Sequence, residues 1–141
     1  MIEKTKFKLW YDEENEVIRA VIFETLDAEA SSSLFDSIKD NFEPEKQRYF
    51  LADLSTEEAQ TLHDKETRRT LREKMPQVNW GKIAILGANP GLRMLTKIVM
   101  TAVGKARDAK FFDKEEEALA WLKAEKEKEK EKEKKKEKES K

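Results

Sequence analysis

The chain contains no cysteine among its 141 residues. This absence excludes disulfide bonds, thiolate nucleophiles and cysteine-ligated zinc or iron–sulfur sites together, and it agrees with a reducing compartment. Histidine occurs only once, and one histidine cannot form a zinc site by itself. We therefore expect neither a cofactor nor a bound metal.

Long apolar runs and a surplus of one charge are missing as well. No run approaches the roughly 20 residues that a bilayer-spanning helix needs, and residues 1–6 carry charges with no apolar signal region behind them. The formal net charge is −1, whereas phosphate contacts require a basic surplus on one face. We expect a soluble cytoplasmic protein with no stable membrane insertion and no nucleic-acid partner.

The length of the chain suits a single domain followed by a charged tail. Residues 125–141 are almost entirely Lys and Glu, and the lack of an apolar stripe there excludes a coiled coil. We expect an α/β domain over residues 1–124 and a tail over residues 125–141 that extends the final helix and frays into disorder. Solubility is the expected effect of the tail, with weak binding to charged surfaces as an alternative.

The N-terminal part predicts a β-hairpin and a helix. Apolar residues alternate over residues 7–11, turn-forming residues follow at 12–15, and β-branched and aromatic residues fill 17–23. These two strands should pair antiparallel. Asp27 is a suitable N-cap for a helix over residues 27–42, in which an apolar residue recurs at every fourth position.

Strands and helices alternate after Pro44, which should end that helix. Residues 49–54 are too continuously apolar for a half-exposed strand and therefore belong in the middle of the sheet. A helix over residues 63–75 has little apolar content and should be peripheral. Residues 81–87 form the next buried strand, and residues 89–104, which open with Asn-Pro, form the next helix.

That helix has an apolar face. Its predicted members are Leu92, Leu95, Ile98, Val99, Ala102, Val103 and, just beyond the helix, Ala106. Met94 and Met100 flank this stripe, and the widened surface suits core packing, a ligand groove or a dimer contact. A last short strand at residues 109–112 leads to Asp113, the expected cap of the final helix.

This order of elements predicts the fold class, an α/β domain. An antiparallel opening pair followed by strand–helix repeats implies a mixed five-stranded sheet with four helices, in which right-handed crossovers join the parallel strands. We expect the strands at residues 49–54 and 83–86 to lie side by side and parallel in the middle of the sheet.

Three segments of the chain resemble a known family. They are the central strand ending Ala52-Asp53-Leu54-Ser55, the strand at residues 82–87, and a C-terminal pattern formed by Phe112, Ala118, Trp121 and Leu122. With the order of elements, they resemble the SpoIIAA-like family, whose relatives are STAS domains and the CRAL-TRIO lipid-binding fold. The resemblance covers about residues 5–124.

The resemblance implies a non-catalytic regulatory or protein-interaction module, because STAS relatives are phosphorylation-controlled partners of regulatory kinases. The alternative is a carrier or sensor of a small apolar or amphipathic ligand, because CRAL-TRIO relatives enclose apolar ligands. In STAS antagonists a serine at the start of the helix after the central strand accepts the phosphate. Here that helix starts near His63 without a serine, and Ser55 and Thr56 lie earlier, so no hydroxyl can be assigned this role.

Several positions have competing interpretations. His63 lies close to Asp64 and Glu66, which would suit an acid–base pair or a metal site, but a solvated helix start fits the same residues. Asp53 ends a central strand, where α/β folds often put functional side chains, and it equally suits a turn. Trp10 falls on the polar phase of its strand, which suits either a partner surface or cover by a neighbouring loop.

The turn around Asn89 is a further candidate. Free amides at the helix start, with Arg93 nearby, would suit a phosphate or a carboxylate. The glycine spacing matches no phosphate-binding motif, and ordinary helix capping explains the same residues.

Our leading hypothesis is a binding surface where the central-strand loop, the next helix start and the Asn89 turn converge at one edge of the sheet. The expected partner- or ligand-binding residues are Asp53, Ser55, Thr56, His63, Asn89 and Arg93. The expected partner is a regulatory protein, or else a small apolar ligand seated between the sheet and the helix at residues 92–103, and a homodimer stays open. We expect no catalytic residue.

Overall fold

A computed structural model of the chain describes residues 1–42, 48–60 and 64–139. The strands in this part of the chain are β1 (Ile2–Glu3), β2 (Phe7–Asp12), β3 (Val17–Ile22), β4 (Arg48–Asp53), β5 (Trp80–Leu86) and β6 (Ala109–Phe112). The α-helices are α1 (Ala28–Asn41), α2 (Lys65–Lys74), α3 (Pro90–Ala102) and α4 (Glu115–Glu139), and a short 3₁₀ turn spans Glu57–Gln60. The predicted α/β class with four helices is confirmed.

The strands lie side by side in chain order, from β1 to β6. The first three pair antiparallel, whereas β3 to β6 pair parallel. The predicted parallel pairing of the two central strands is confirmed, with Phe50 opposite Ile83 and Ala52 opposite Ile85. Because each crossover between parallel strands moves one strand further in the same direction, right-handed connections place α1, α2 and α3 on one face.

The prediction of five strands is wrong, because the sheet formed by the described residues has six. The additional strand is β1 at the edge of the sheet, where Ile2 lies opposite Leu9. Two residues are too few to display the alternation of apolar and polar side chains on which a strand is recognised in sequence. Pairing with β2, rather than any local pattern, therefore defines this strand.

The sheet separates two apolar layers. On one face, Ile18 and Ile83 of the sheet share a buried cluster with Leu34 of α1 and Leu92 of α3. On the other face, Val17, Leu51, Ala84 and Leu86 pack against Ala118 and Leu122 of α4. Burial on both faces explains why the central strands are almost continuously apolar.

Side-chain caps start three of the helices. Asp27, Asp64 and Asn89 each accept a hydrogen bond of 2.8 Å from the backbone amide three residues later. The predicted caps Asp27 and Asn89 are confirmed, and α2 begins just after Asp64. Pro44 and His63 lie outside the described residues.

The predicted cap of the final helix is wrong. The helix α4 begins at Glu115, so Asp113 lies before the capping position. Its carboxylate instead accepts a hydrogen bond of 2.6 Å from the Arg93 guanidinium. A cation from the neighbouring helix is therefore a better partner for Asp113 than the first amides of α4.

The apolar face of α3 is narrower than the sequence predicts. Leu92, Leu95, Val99 and Met100 are buried, but Ile98 is 61% exposed, and Ala102 and Ala106 are exposed as well. The sheet and its neighbouring helices cover only part of the circumference of a surface helix, and Ile98 lies at the margin of the predicted stripe. The prediction that Ile98, Ala102 and Ala106 face the core is wrong.

The helix α4 continues through Glu139 and is fastened to the domain beyond residue 124. The ammonium group of Lys126 donates hydrogen bonds to the carbonyls of Asn15 and Glu16 and lies 5.3 Å from the centre of the Tyr49 ring. The boundary between domain and tail at residue 124 stays a prediction. Within the described segments, no helix combines the length and apolar composition that crossing a bilayer requires.

Tyr49 beneath α4 provides a pH-dependent prediction. Burial, together with the charges of Glu129, Glu125 and Glu133, raises the pKa of Tyr49 to about 12. The Tyr49 phenol of the unfolded chain should titrate near its ordinary pKa of 10.0. Because the folded state holds the phenol proton more tightly, the protonated Tyr49 contributes to the free energy of unfolding. This contribution is complete below the unfolded pKa and is lost as the pH rises through the folded pKa.

The measurement is an ultraviolet titration of tyrosinate in the Tyr11→Phe variant, in which Tyr49 is the single tyrosine. The folded protein should titrate with a midpoint near the raised pKa, and Glu129→Gln should lower the midpoint by removing one negative charge. The same variant unfolded in denaturant is the control. A folded midpoint equal to the unfolded one would contradict burial of Tyr49 beneath α4.

Candidate functional site

The carboxyl ends of β4, β5 and β6 meet at one edge of the sheet. The Leu54 amide donates to the Leu86 carbonyl at 2.8 Å, and the Gly87 amide donates to the Phe112 carbonyl at 2.9 Å. These bonds tie the three loops that follow the strands to one another. The edge is the place where open α/β sheets usually present functional side chains.

The end of β4 and the loop after it carry three of the predicted site residues. The carboxylate of Asp53 accepts a hydrogen bond of 2.9 Å from the Ser55 amide, and the Thr56 hydroxyl donates to the Ile22 carbonyl at 2.6 Å. Ser55 is exposed. Asp53 and Thr56 therefore hold the loop in shape, and the Ser55 side chain is presented at the surface.

Asn89 ends the loop after β5, and Arg93 lies in the first turn of α3. Asn89 caps α3 through the Leu92 amide, so its side chain takes an amide that a bound phosphate would need. The Arg93 guanidinium donates to the Ala88 carbonyl at 2.9 Å and to Asp113, and it lies over the Phe111 ring. Both side chains are engaged in holding the loop, as the capping interpretation expects.

A residue that the sequence does not single out joins the two loops. The Gln60 amide group donates to the carbonyls of Leu54 and Gly87, the latter at 2.8 Å. Its side-chain oxygen accepts from the Asn89 amide at 2.7 Å, and its backbone carbonyl accepts from the Asn89 side chain at 3.2 Å. Gln60 lies in a run of polar residues, and nothing in that run distinguishes it before the loops are brought together.

Removal of the Gln60 side chain should therefore loosen this edge. We expect Gln60→Ala to lower the free energy of unfolding by about 2 kcal/mol, because it leaves three backbone groups without their partner. The measurement is urea unfolding followed by circular dichroism. Gln77→Ala is the matched control, since Gln77 is exposed and its side chain donates one hydrogen bond, to the Glu73 carbonyl four residues earlier. Equal losses for the two variants would contradict a joining role.

The predicted site residue His63 lies outside the described residues. Its neighbour Asp64 caps α2, and the other neighbour in the predicted cluster, Glu66, is exposed. Across the three described segments, no group of three or more metal-ligating side chains comes together.

A second polar cluster lies on the opposite face of the sheet, beside the start of α4. Arg19 donates to Asp12 at 3.3 Å and pairs with Glu115. The Trp10 ring lies between the cations of Lys8 and Arg19, 5.0 and 5.3 Å from its centre, and is half-buried. Partial burial acts to raise the pKa of Asp12, but hydrogen bonds from Asn15 and Arg19 prevail and lower it. This cluster fixes the first turn of α4 to the sheet.

The exposed surface next to the carboxyl edge is partly apolar. Met94 is 67% exposed and Ile98 is 61% exposed, one helical turn apart on α3. Asn89, Pro90 and Gly91 at the start of the same helix are exposed as well. The polar side chains at this edge hold the loops in place, and the arrangement builds a preformed surface.

Two comparisons with known proteins bear on this geometry. The family model described as SpoIIAA-like matches residues 17–123, which span β3 to α4. No curated protein matches the chain.

Proposed function

Because the chain belongs to the SpoIIAA-like family, whose domains are generally non-catalytic regulators, we propose that it is a regulatory module that binds a protein partner. The proposed surface consists of the loops at the carboxyl edge, with Ser55 and Asn89, and the exposed side of α3, with Met94 and Ile98. A cytoplasmic site of action and the absence of catalysis are parts of this proposal.

The exposed pair Met94 and Ile98 carries the proposal. Two large apolar side chains, each more than half exposed and one turn apart, expose apolar area that water solvates poorly. Exposed polar side chains of the same helix, Lys97 and Thr101, lie beside Ile98 in the sequence. An apolar centre with a polar rim is typical of protein interfaces.

The charge of α2 and α3 indicates what kind of partner fits. Together α2 and α3 contain seven cationic and two anionic side chains, although the whole chain has a net charge of −1. Lys65, Arg69 and Arg72 are exposed and form no ion pair within the part of the chain that the structure describes. We propose that the partner presents an acidic surface with apolar side chains at its centre.

The test replaces the exposed apolar side chains by a charge. Met94→Glu or Ile98→Glu should weaken binding of the partner about 30-fold, the effect of losing about 2 kcal/mol at the centre of an interface. Calorimetric titration with the partner recovered by cross-linking measures the affinity, which should also fall as salt rises.

Ala120→Glu is the matched control, because it adds the same charge at an exposed position of α4, on the other face of the sheet. Equal affinities for Met94→Glu and the unchanged protein would refute the proposed surface. If sedimentation shows instead that the chain binds a second copy through this surface, the homodimer is the correct assembly.

A carrier or sensor of a small apolar ligand is the second candidate function. It is favoured by one observation, an apolar cavity of about 100 Å³ between the sheet and the helices α1, α2 and α3. Native mass spectrometry of the protein purified without organic solvent tests this function. A copurified apolar molecule would support it, and a mass equal to that of the bare chain would count against it.

A further inference from the structure

The cavity lies where the helical layer is thinnest. The inner side of α2 carries a single large apolar residue, Leu71, in the sequence from Lys65 to Lys74. The facing position on β4 is the small Ala52, and a second alanine, Ala59, lines the cavity from the 3₁₀ turn. Protein interiors seldom contain voids much larger than a water molecule. The void therefore follows from small or missing side chains on both sides.

Among the described residues, the lining offers no free side-chain nitrogen or oxygen to a ligand. Two of these lining residues have such atoms, Thr96 and Trp80. The Thr96 hydroxyl donates to the Leu92 carbonyl at 2.7 Å, and the Trp80 indole nitrogen donates to the Met75 carbonyl at 2.9 Å. A carboxylate or hydroxyl placed in this cavity would lose its hydrogen bonds to water without replacement.

The size of the cavity limits the ligand further. An apolar cavity of about 150 Å³ in another protein stays free of water and binds benzene or xenon. A cavity of about 100 Å³ has room for a molecule of that order and not for a lipid chain with its head group.

We propose that this cavity is a binding site for a small uncharged hydrocarbon-like molecule, no larger than a single six-membered ring. The site deepens the second candidate function, the carrier or sensor, and rests on it. It is independent of the protein-binding surface, because Met94 and Ile98 do not line the cavity.

The experiment titrates the full chain with benzene and, separately, with xenon, and follows the methyl resonances by NMR. Both probes should shift the methyl groups of Ile83, Ile85 and Val99, which line the cavity, and should leave those of Leu122 on the other face unchanged. Phenol should bind at least about 10-fold more weakly than benzene, because its hydroxyl finds no partner.

Variants locate the site. Ala52→Leu should abolish the shifts by filling the cavity, and Leu71→Phe provides a second filling variant that adds volume from the helical side, in case the first does not fold. Ala120→Leu, on the exposed side of α4, is the matched control and should bind benzene as the unchanged protein does. Thr96→Val, which removes the hydroxyl and keeps the shape, should also retain binding.

Failure of both probes to shift the lining methyl groups would overturn the proposal, as would tighter binding of phenol than of benzene or undiminished binding in a folded filling variant. A larger lipid found by mass spectrometry together with a negative benzene titration would keep the carrier function and reject this cavity as its site. Loss of partner binding in Met94→Glu is a separate measurement and does not depend on either result.

Discussion

Replacement of Trp80 by alanine is expected to lower the free energy of unfolding by about 4 kcal/mol. Trp80 is 2% exposed at the start of β5 and has ring centres of Phe35 and Phe50 at 6.1 and 5.3 Å. Its indole nitrogen donates to the Met75 carbonyl. Truncation removes this buried area, enlarges a cavity that already exists and removes one of the two hydrogen bonds that the Met75 carbonyl accepts, the other coming from the Val78 amide. Each of these changes destabilises the folded state.

Urea unfolding measures this loss, with Trp10→Ala as the control. Trp10 is the same residue type, but it is half-buried on the other face of the sheet and contacts two flexible cations. Its removal should cost about 1–2 kcal/mol. If the two variants lose the same stability, Trp80 does not occupy the centre of the helical-side core.

Replacement of Gly87 by alanine should lower the free energy of unfolding by about 3 kcal/mol. Gly87 has a φ of +78°, and a Cβ atom there would lie 2.5 Å from the Ser55 hydroxyl oxygen and 2.9 Å from the Ser55 Cα. The backbone atom cannot move away without opening the loop after β4. The cost therefore combines backbone strain with a clash that disrupts the candidate binding edge.

Gly104→Ala separates these two contributions. Gly104 has nearly the same φ, +75°, but nothing lies within 4 Å of the position of its Cβ. This variant should lose only about 1 kcal/mol, the strain of the left-handed conformation. Equal losses at the two glycines would mean that the contact between Ser55 and Gly87 is not tight in solution.

Most of the fold could be predicted from the sequence because its signals are local or depend on continuous burial. The caps Asp27 and Asn89 precede apolar helical patterns, and the apolar runs of β4 and β5 predict their central, parallel pairing. The structure confirms each of these. Where a feature has no such signal, or where the same residues suit two different local structures, the predictions are wrong.

The errors have a common physical cause. Each concerns a feature that is determined by contacts between separate elements of the fold. The strand β1 exists through its pairing with β2, Ile98 is exposed because the helical layer does not reach it, and Asp113 binds Arg93 from another element. No local pattern contains this information.

The same limit applies to the candidate site. The convergence of the loops at one edge follows from parallel strands, and the structure places Asp53, Ser55, Thr56, Asn89 and Arg93 in the loops and helix start at that edge. The role of Gln60 does not follow, because a glutamine in a polar loop is unremarkable until two loops meet around it. The basic character of α2 and α3 is likewise hidden in a chain that is nearly neutral overall. Whether these residues bind a partner is still a prediction.

Site-specific photo-cross-linking in the native host tests the central claim, that the chain acts by binding a protein at the exposed side of α3. A photoreactive amino acid is placed at Met94 in one variant and at Ala120 in the other, both at exposed helix positions. The account predicts a discrete protein adduct from position 94 that is absent from position 120 and is lost when Ile98 is replaced by glutamate. The same adducts from both positions, or none from position 94, would contradict it.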